Sequence, residues 1–129
     1  MRFDPHDLPA AAREFLTERH LASLTTARAD GTPHVVPVGF TFDSAGLARV
    51  ITNGGSVKVR NASRVSARAA LCQLSGRFWL TLEGPVQVSR NPDDVADAVH
   101  RYSRRYRIPR INPERVMIVM TVERMMGNL

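Results

Sequence analysis

The chain has 129 residues, 43% of them hydrophobic, and a formal net charge of +6 from 18 basic and 12 acidic side chains. This composition excludes a disordered chain, and no apolar run approaches the roughly 20 residues of a membrane-spanning helix. The charge is compatible with nucleic acid, an anionic membrane surface or an anionic small molecule, but the 6% aromatic content and the absence of any nucleic-acid-binding motif argue against nucleic acid.

Helical patterns occur at the N-terminus and in one later segment. Residues 8–19 (LPAAAREFLTER) place apolar side chains on one stripe. NPDD at 91–94 supplies a capping asparagine, a first-turn proline and two acids for a helix that runs to about residue 106. The first 15 residues contain early acids and no apolar signal core, so we expect a cytoplasmic protein.

Alternating apolar residues predict strands at 21–29, 32–43, 47–52, 67–74, 77–89 and 115–125. The dipeptides DG and SG form tight turns between consecutive strands. Because the helices lie only at the edges of this series, the sequence predicts one mainly-β domain over residues 1–129, a six-stranded antiparallel barrel. The apolar stretch VMIVMTV in the last strand is expected to pack against a second copy.

The strand at 32–43 has two unlike faces. His34 and Val38 lie on a face of larger side chains, whereas Pro37 and Gly39 lie on a face of unusually small ones. Small residues on one face let another group approach the backbone closely.

The segment TNGGSVKVRNASR (52–64) follows the third strand. Its two glycines permit a tight exit, Ser56 is expected to cap a short helix, and Val59, Ala62 and Val65 are expected to face the barrel. Lys58 and Arg60 then lie at the positive end of the helix dipole. A bound anion would remove this conflict, although a solvated cationic helix end remains the alternative.

The order of these elements, together with ERHLASLTTARADGTPHVVPVGFTFD, GGSVKVRNASR, LEGPVQV and RYSRRYRIPRINPERV, resembles the split-barrel flavin-binding family typified by pyridoxamine-phosphate oxidase. The chain is most similar to the actinobacterial subgroup that uses the deazaflavin coenzyme F420, and especially to its biliverdin reductases. The resemblance implies a homodimer that transfers a hydride from reduced F420 to a conjugated acceptor, with biliverdin as the expected substrate. The alternatives are an enzyme that uses flavin mononucleotide (FMN), such as a pyridoxamine-phosphate oxidase, and a carrier that binds deazaflavin or tetrapyrrole without turnover.

The resemblance also implies the site residues. Lys58, Arg60 and Asn61 would hold the cofactor phosphate, with Thr52 and Ser56 beside them. The ring would be lined by His34, Pro37, Val38 and Gly39. Some relatives have an arginine at the position of Ser56, so the contacts that hold the phosphate are expected to differ here. Such a cofactor supplies the chemistry, and no catalytic side chain is required.

Other candidate residues keep two interpretations. Trp79 is expected in the core or a dimer interface, with contact to the partner's cofactor as the alternative. The arginines between Arg101 and Arg110 form either a solvated face or a site for carboxylates. Cys72 is expected to be a buried thiol, and the histidines have no metal-ligand spacing.

Overall fold

The computed structural model describes residues 1–129 and contains nine strands and three helices. The strands are β1 (Arg2–Phe3), β2 (Ala22–Ala27), β3 (Pro33–Val38), β4 (Thr41–Phe42), β5 (Leu47–Asn53), β6 (Arg68–Ser75), β7 (Phe78–Ser89), β8 (Arg115–Thr121) and β9 (Arg124–Asn128). The helices are α1 (Ala10–Thr17), α2 (Val57–Ala62) and α3 (Pro92–Arg105). None of the helices combines the length and the apolar character that crossing a membrane requires.

The strands pair antiparallel in the order β3-β2-β6-β7-β8-β5-β4, with β9 joining β7 to β1. The 12 residues of β7 are shared between two parts of the sheet. Its first part pairs with β6 and β9, and residues 86–89 pair with β8. The predicted mainly-β antiparallel split barrel is therefore confirmed, with β1 and β9 as short additions.

The predicted strand at 32–43 is interrupted. Its first half, β3, pairs with β2, whereas its second half, β4, pairs with β5 at the other end of the sheet order. Between them the Tyr106 hydroxyl accepts a hydrogen bond from the amide of Phe40 at 3.2 Å and donates to the carbonyl of His20 at 2.6 Å. This long-range contact fixes the point at which the chain changes neighbours.

The core fills the barrel. Leu24, Phe40, Leu80 and Leu82 are each at most 1% exposed, which is the burial expected of a hydrophobic core. The stretch VMIVMTV lies on β8 between β5 and β7 and is largely buried within the chain. The prediction that this stretch packs against a second copy is therefore wrong.

Two smaller predictions also need correction. Val65 is 96% exposed and does not face the barrel, because the chain leaves α2 at Ala62 and turns away. Cys72 is half-buried because it lies on the outer face of β6, next to the buried Leu71.

Of the two predicted N-terminal helix caps, Asn91 and Ser56, only Asn91 makes a capping hydrogen bond. The side chain of Asn91 caps α3 by accepting from the amide of Asp93 at 2.9 Å, as predicted. Ser56 occupies the position before α2, but its side chain makes no capping hydrogen bond.

Candidate functional site

The connection from β5 to α2 is held close to the start of β8. The amide of Gly54 donates to the carbonyl of Glu114 at 2.9 Å. A Cβ atom at Gly54 would lie 3.0 Å from that oxygen, so a side chain here would press against the backbone. The glycine therefore lets the connection pass near β8 and sets where α2 begins.

Ser56, at the start of α2, has an unused hydroxyl. Its Oγ atom is covered by the fold and has no hydrogen-bond partner within the chain. A buried hydroxyl without a partner is unfavourable, so natural structures seldom leave one unless a ligand or water completes it. Ser56 is therefore available to a ligand, although it does not serve as the predicted helix cap.

Lys58 is a half-buried cation without an anionic partner. No carboxylate forms an ion pair with it, and burial lowers its pKa from the usual 10.5. Burial disfavours the charged ammonium unless an anion lies nearby. Two residues of one helical turn, Ser56 and Lys58, therefore both lack partners that a phosphate group would supply.

The side chain of Asn61 is hydrogen-bonded within the chain. It is only 3% exposed, and its Nδ2 donates to the Thr26 hydroxyl at 3.0 Å. Its Oδ1 accepts from Arg64 at 3.0 Å. Asn61 thus fastens α2 to β2. Of the other residues predicted around the phosphate, Arg60 is exposed and Thr52 is half-buried on β5.

The register of β2 and β3 brings His34 beside the hydrogen bond between Asn61 and Thr26. His34 pairs with Thr26, which receives the hydrogen bond from Asn61. The Nδ1 atom of His34 is buried and has no partner. His34 and Val38 lie on the inward-facing side of β3, whereas Pro37 is exposed on the other side. The predicted ring-lining residues are therefore divided between two faces of the strand.

Gly39 follows β3 and lies against Tyr102 of α3 and Tyr106, the residue directly after α3. A Cβ atom here would be 3.0 Å from the ring of Tyr102 and 3.1 Å from the ring of Tyr106. The two rings pack with their centroids 4.8 Å apart. The small face of the strand indicated that another group comes close to the backbone. At Gly39 that group is this tyrosine pair. Its signal in the sequence is the spacing of two aromatic residues four positions apart on a helix.

Trp79 lies at the other end of the sheet from α2. It is 37% exposed and pairs with Leu74 on β6, whereas Ala69 is the residue of β6 that pairs with Thr26. The five-residue separation corresponds to about 17 Å along a strand. One copy of the chain therefore does not bring Trp79 to the Ser56–Lys58 region.

The arginines of α3 divide into two kinds. Arg105 donates to the carbonyls of Glu18 and Phe40 and to the side-chain oxygen of Gln73, at 2.9, 2.5 and 2.6 Å. Arg101 pairs with Asp97 and Asp43. Arg104, Arg107 and Arg110 are exposed and form no ion pair. The solvated-face and carboxylate-site interpretations thus both remain for these last three.

A cavity of about 670 Å³ opens beside Thr26, Arg68 and Glu83. Of the predicted site residues, none lines it. No three His, Cys, Asp or Glu side chains come close enough together to hold a metal ion.

Comparison with known sequences decides the family. The family model described as pyridoxamine 5'-phosphate oxidase matches residues 8–127. The chain belongs to the pyridoxamine 5'-phosphate oxidase family. This family member is 56% identical over 118 residues to the F420H(2)-dependent biliverdin reductase of Mycobacterium tuberculosis (strain CDC 1551 / Oshkosh), a match that covers 91% of this chain and 85% of the relative.

Solved structures share the fold of this pyridoxamine 5'-phosphate oxidase family member. A protein described as F420 reductase superposes with a TM-score of 0.74 at 23% identity, covering 92% of this chain and 98% of that one. A conserved hypothetical protein from Mycobacterium tuberculosis superposes with a TM-score of 0.79 at 17% identity, covering 98% and 88%. At these identities the likeness concerns the fold alone.

Proposed function

We propose that the protein is an F420H2-dependent oxidoreductase that transfers a hydride to a conjugated acceptor, and that it reduces biliverdin to bilirubin. The observation that carries this proposal is the 56% identity to the mycobacterial biliverdin reductase over 91% of the chain. The whole unit from residue 1 to 129 acts as one domain, in the cytoplasm.

The residues of the candidate site fit the phosphate of coenzyme F420. Ser56 and Lys58 lack partners inside the chain, and a phosphate offers both a hydrogen-bond acceptor and a counter-ion. Arg60 and Thr52 border the same turn, while Asn61 contributes by fixing α2 against β2. His34 offers an unpaired nitrogen on the adjoining strand.

When bound, reduced F420 supplies the hydride. The chain itself binds the phosphate through Lys58 and orients the ring against β3. The proton that completes the reduction would come from solvent, so positioning of this kind needs no acid or base from the protein. No catalytic side chain is therefore assigned.

The functional unit is proposed to be a homodimer. Four apolar side chains are exposed: Leu21 by 63%, Leu74 by 62%, Phe78 by 39% and Trp79 by 37%. Leu74 and Trp79 are direct cross-strand neighbours. Apolar side chains grouped in this way favour contact with another protein surface. A twofold dimer built on these side chains would bring the two Trp79 residues close to each other. Contact between Trp79 and the partner's cofactor stays a prediction.

FMN is the alternative cofactor, favoured by the match to the pyridoxamine 5'-phosphate oxidase family model. FMN and F420 share a tricyclic ring and a phosphate, so Ser56 and Lys58 suit either. F420 has in addition an anionic glutamate tail, and exposed arginines such as Arg104, Arg107 and Arg110 favour the more anionic ligand. A carrier that binds F420 without turnover is the remaining alternative.

Turnover tests the proposal. Purified protein is mixed with F420H2 and biliverdin, and the loss of biliverdin and gain of bilirubin are followed by absorbance. We expect steady turnover with F420H2 and tighter binding of F420 than of FMN, by a margin that shrinks with added salt. Turnover with reduced FMN alone would assign the function to the alternative cofactor. Tight F420 binding without turnover would indicate a carrier.

A further inference from the structure

A cavity of about 230 Å³ lies between α1, β4 and the second half of α3. Its lining contains three arginines and no acidic side chain. The residues are Leu16, Thr17, Thr41, Phe42, Arg101, Arg104 and Arg105. None of them belongs to the Ser56–Lys58 site, and only Arg104 is also among the exposed arginines that would favour the glutamate tail of F420.

Two of the three arginines bring uncompensated charge to this cavity. Arg101 is neutralised by Asp97 and Asp43, with N–O distances of 2.9 and 3.6 Å. Arg105 is bound only by neutral acceptors, and burial lowers the pKa of its guanidinium. Arg104 has no acidic partner at all. Arg105 is partly buried, and a partly buried cation without a counter-ion is unfavourable unless an anion lies nearby. Arg104 is exposed and adds its charge at the same cavity.

Thr41 adds an unsatisfied hydroxyl at the same cavity. Thr41 is one of the lining residues, it is only 9% exposed, and its Oγ1 atom is buried without a hydrogen-bond partner. A hydroxyl can donate to a charged oxygen, and such a bond is stronger than one between neutral groups. The cavity therefore combines unpaired positive charge with an unpaired donor.

We propose that this cavity binds an oxyanion, the phosphate or carboxylate group of a small molecule. Arg104 and Arg105 supply the opposite charge, and the Thr41 hydroxyl donates a hydrogen bond. The volume of about 230 Å³ is several times the roughly 30 Å³ share of one water molecule, so a group of this size fits.

The test measures binding of two probes, inorganic phosphate and glutarate, by calorimetric titration at constant ionic strength, with chloride as the reference anion. All proteins carry Lys58→Ala, so that phosphate bound at the Ser56–Lys58 site does not contribute to the signal. We expect at least one probe to bind this background protein. Arg104→Gln should weaken this binding about threefold or more, as expected for loss of an exposed charge. Arg107→Gln is the matched control, because it removes the same charge from an exposed position outside the cavity and should leave the affinity unchanged.

Thr41→Val separates a binding role from a structural one. The substitution removes an unpaired buried hydroxyl at nearly constant shape, so the melting temperature without anion should stay the same or rise. Anion affinity should nevertheless fall about tenfold. Binding of phosphate alone would identify a phosphate site, and binding of glutarate alone a carboxylate site. The absence of binding by either probe, or equal affinities in the Arg104→Gln and Arg107→Gln proteins, would overturn the proposal.

Discussion

The side-chain oxygen of Gln73 lies 2.6 Å from the Nη2 atom of Arg105. Gln73 has no exposed surface, and its own amide nitrogen donates to the carbonyl of Phe15 at 2.7 Å. One buried amide on β6 therefore links the end of α3 to α1.

Replacing Gln73 with methionine tests this link. Gln73→Met leaves a donor of Arg105 and the carbonyl of Phe15 without their partner, and we expect the free energy of unfolding to fall by about 2–3 kcal/mol. Gln87→Met makes the same change at an exposed position of β7 and should alter stability by less than about 0.5 kcal/mol. Urea titrations of both proteins measure the difference, and equal losses would contradict the buried link.

Gly84 marks the place where β7 passes beneath the end of β8. A Cβ atom at Gly84 would overlap the carbonyl of Thr121, and backbone cannot move aside as a flexible side chain can. We expect Gly84→Ala to lower stability by about 3 kcal/mol or more. Gly55→Ala is the control, because its nearest neighbour would be Asn53 Nδ2 at 3.6 Å, an ordinary contact. An unchanged melting temperature in Gly84→Ala would show that the Thr121 backbone is free to shift.

The pH dependence of cofactor binding should report on Lys58. Burial lowers the pKa of its ammonium from 10.5, so the free protein loses this charge at a lower pH than an ordinary lysine would. A bound phosphate favours the charged form, so affinity should fall as the pH rises through that lowered pKa. The total loss should reach about ten- to a hundredfold, the effect of one charge-assisted contact.

Two substitutions serve as references for this titration. Lys58→Arg keeps its charge at every pH used, so its affinity should not show the fall. Lys58→Ala should bind weakly throughout and fold normally. If F420 binds Lys58→Ala as tightly as the unmodified protein, the phosphate is held elsewhere.

The oligomeric state can be tested at the exposed apolar group on β6 and β7. We expect the unmodified protein to sediment as a dimer at micromolar concentration. Leu74→Lys places a charge beside Trp79 and should weaken the dimer at least tenfold. Ile111→Lys, at a 95% exposed position outside the strands, should leave it intact. A monomeric unmodified protein with cofactor bound would contradict the proposed homodimer.

Local signals were sufficient for much of the fold. Alternating apolar residues, the turn glycines Gly31 and Gly76 with positive φ, and the Asn91 cap all act over a few residues, so the sequence displays them directly. The break between β3 and β4 escaped prediction because it depends on Tyr106, 66 positions away from Phe40. The burial of VMIVMTV was missed for a similar reason, since only the pairing with β5 and β7 covers it.

The candidate site was predictable in part. The charge of Lys58 and its position at the start of a predicted helix are visible in the sequence. The unused hydroxyl of Ser56 could not be foreseen, because serine before a helix usually caps it. The internal role of Asn61 was equally hidden, since its partner Thr26 lies 35 positions away.

Because β7 belongs to both parts of the sheet, neither part can lose its order alone without breaking some of the strand pairing of β7. The barrel should consequently melt as one cooperative unit rather than in two stages. In hydrogen exchange, the amides of β7 should be among the last to equilibrate with solvent, because they open only when the whole domain does.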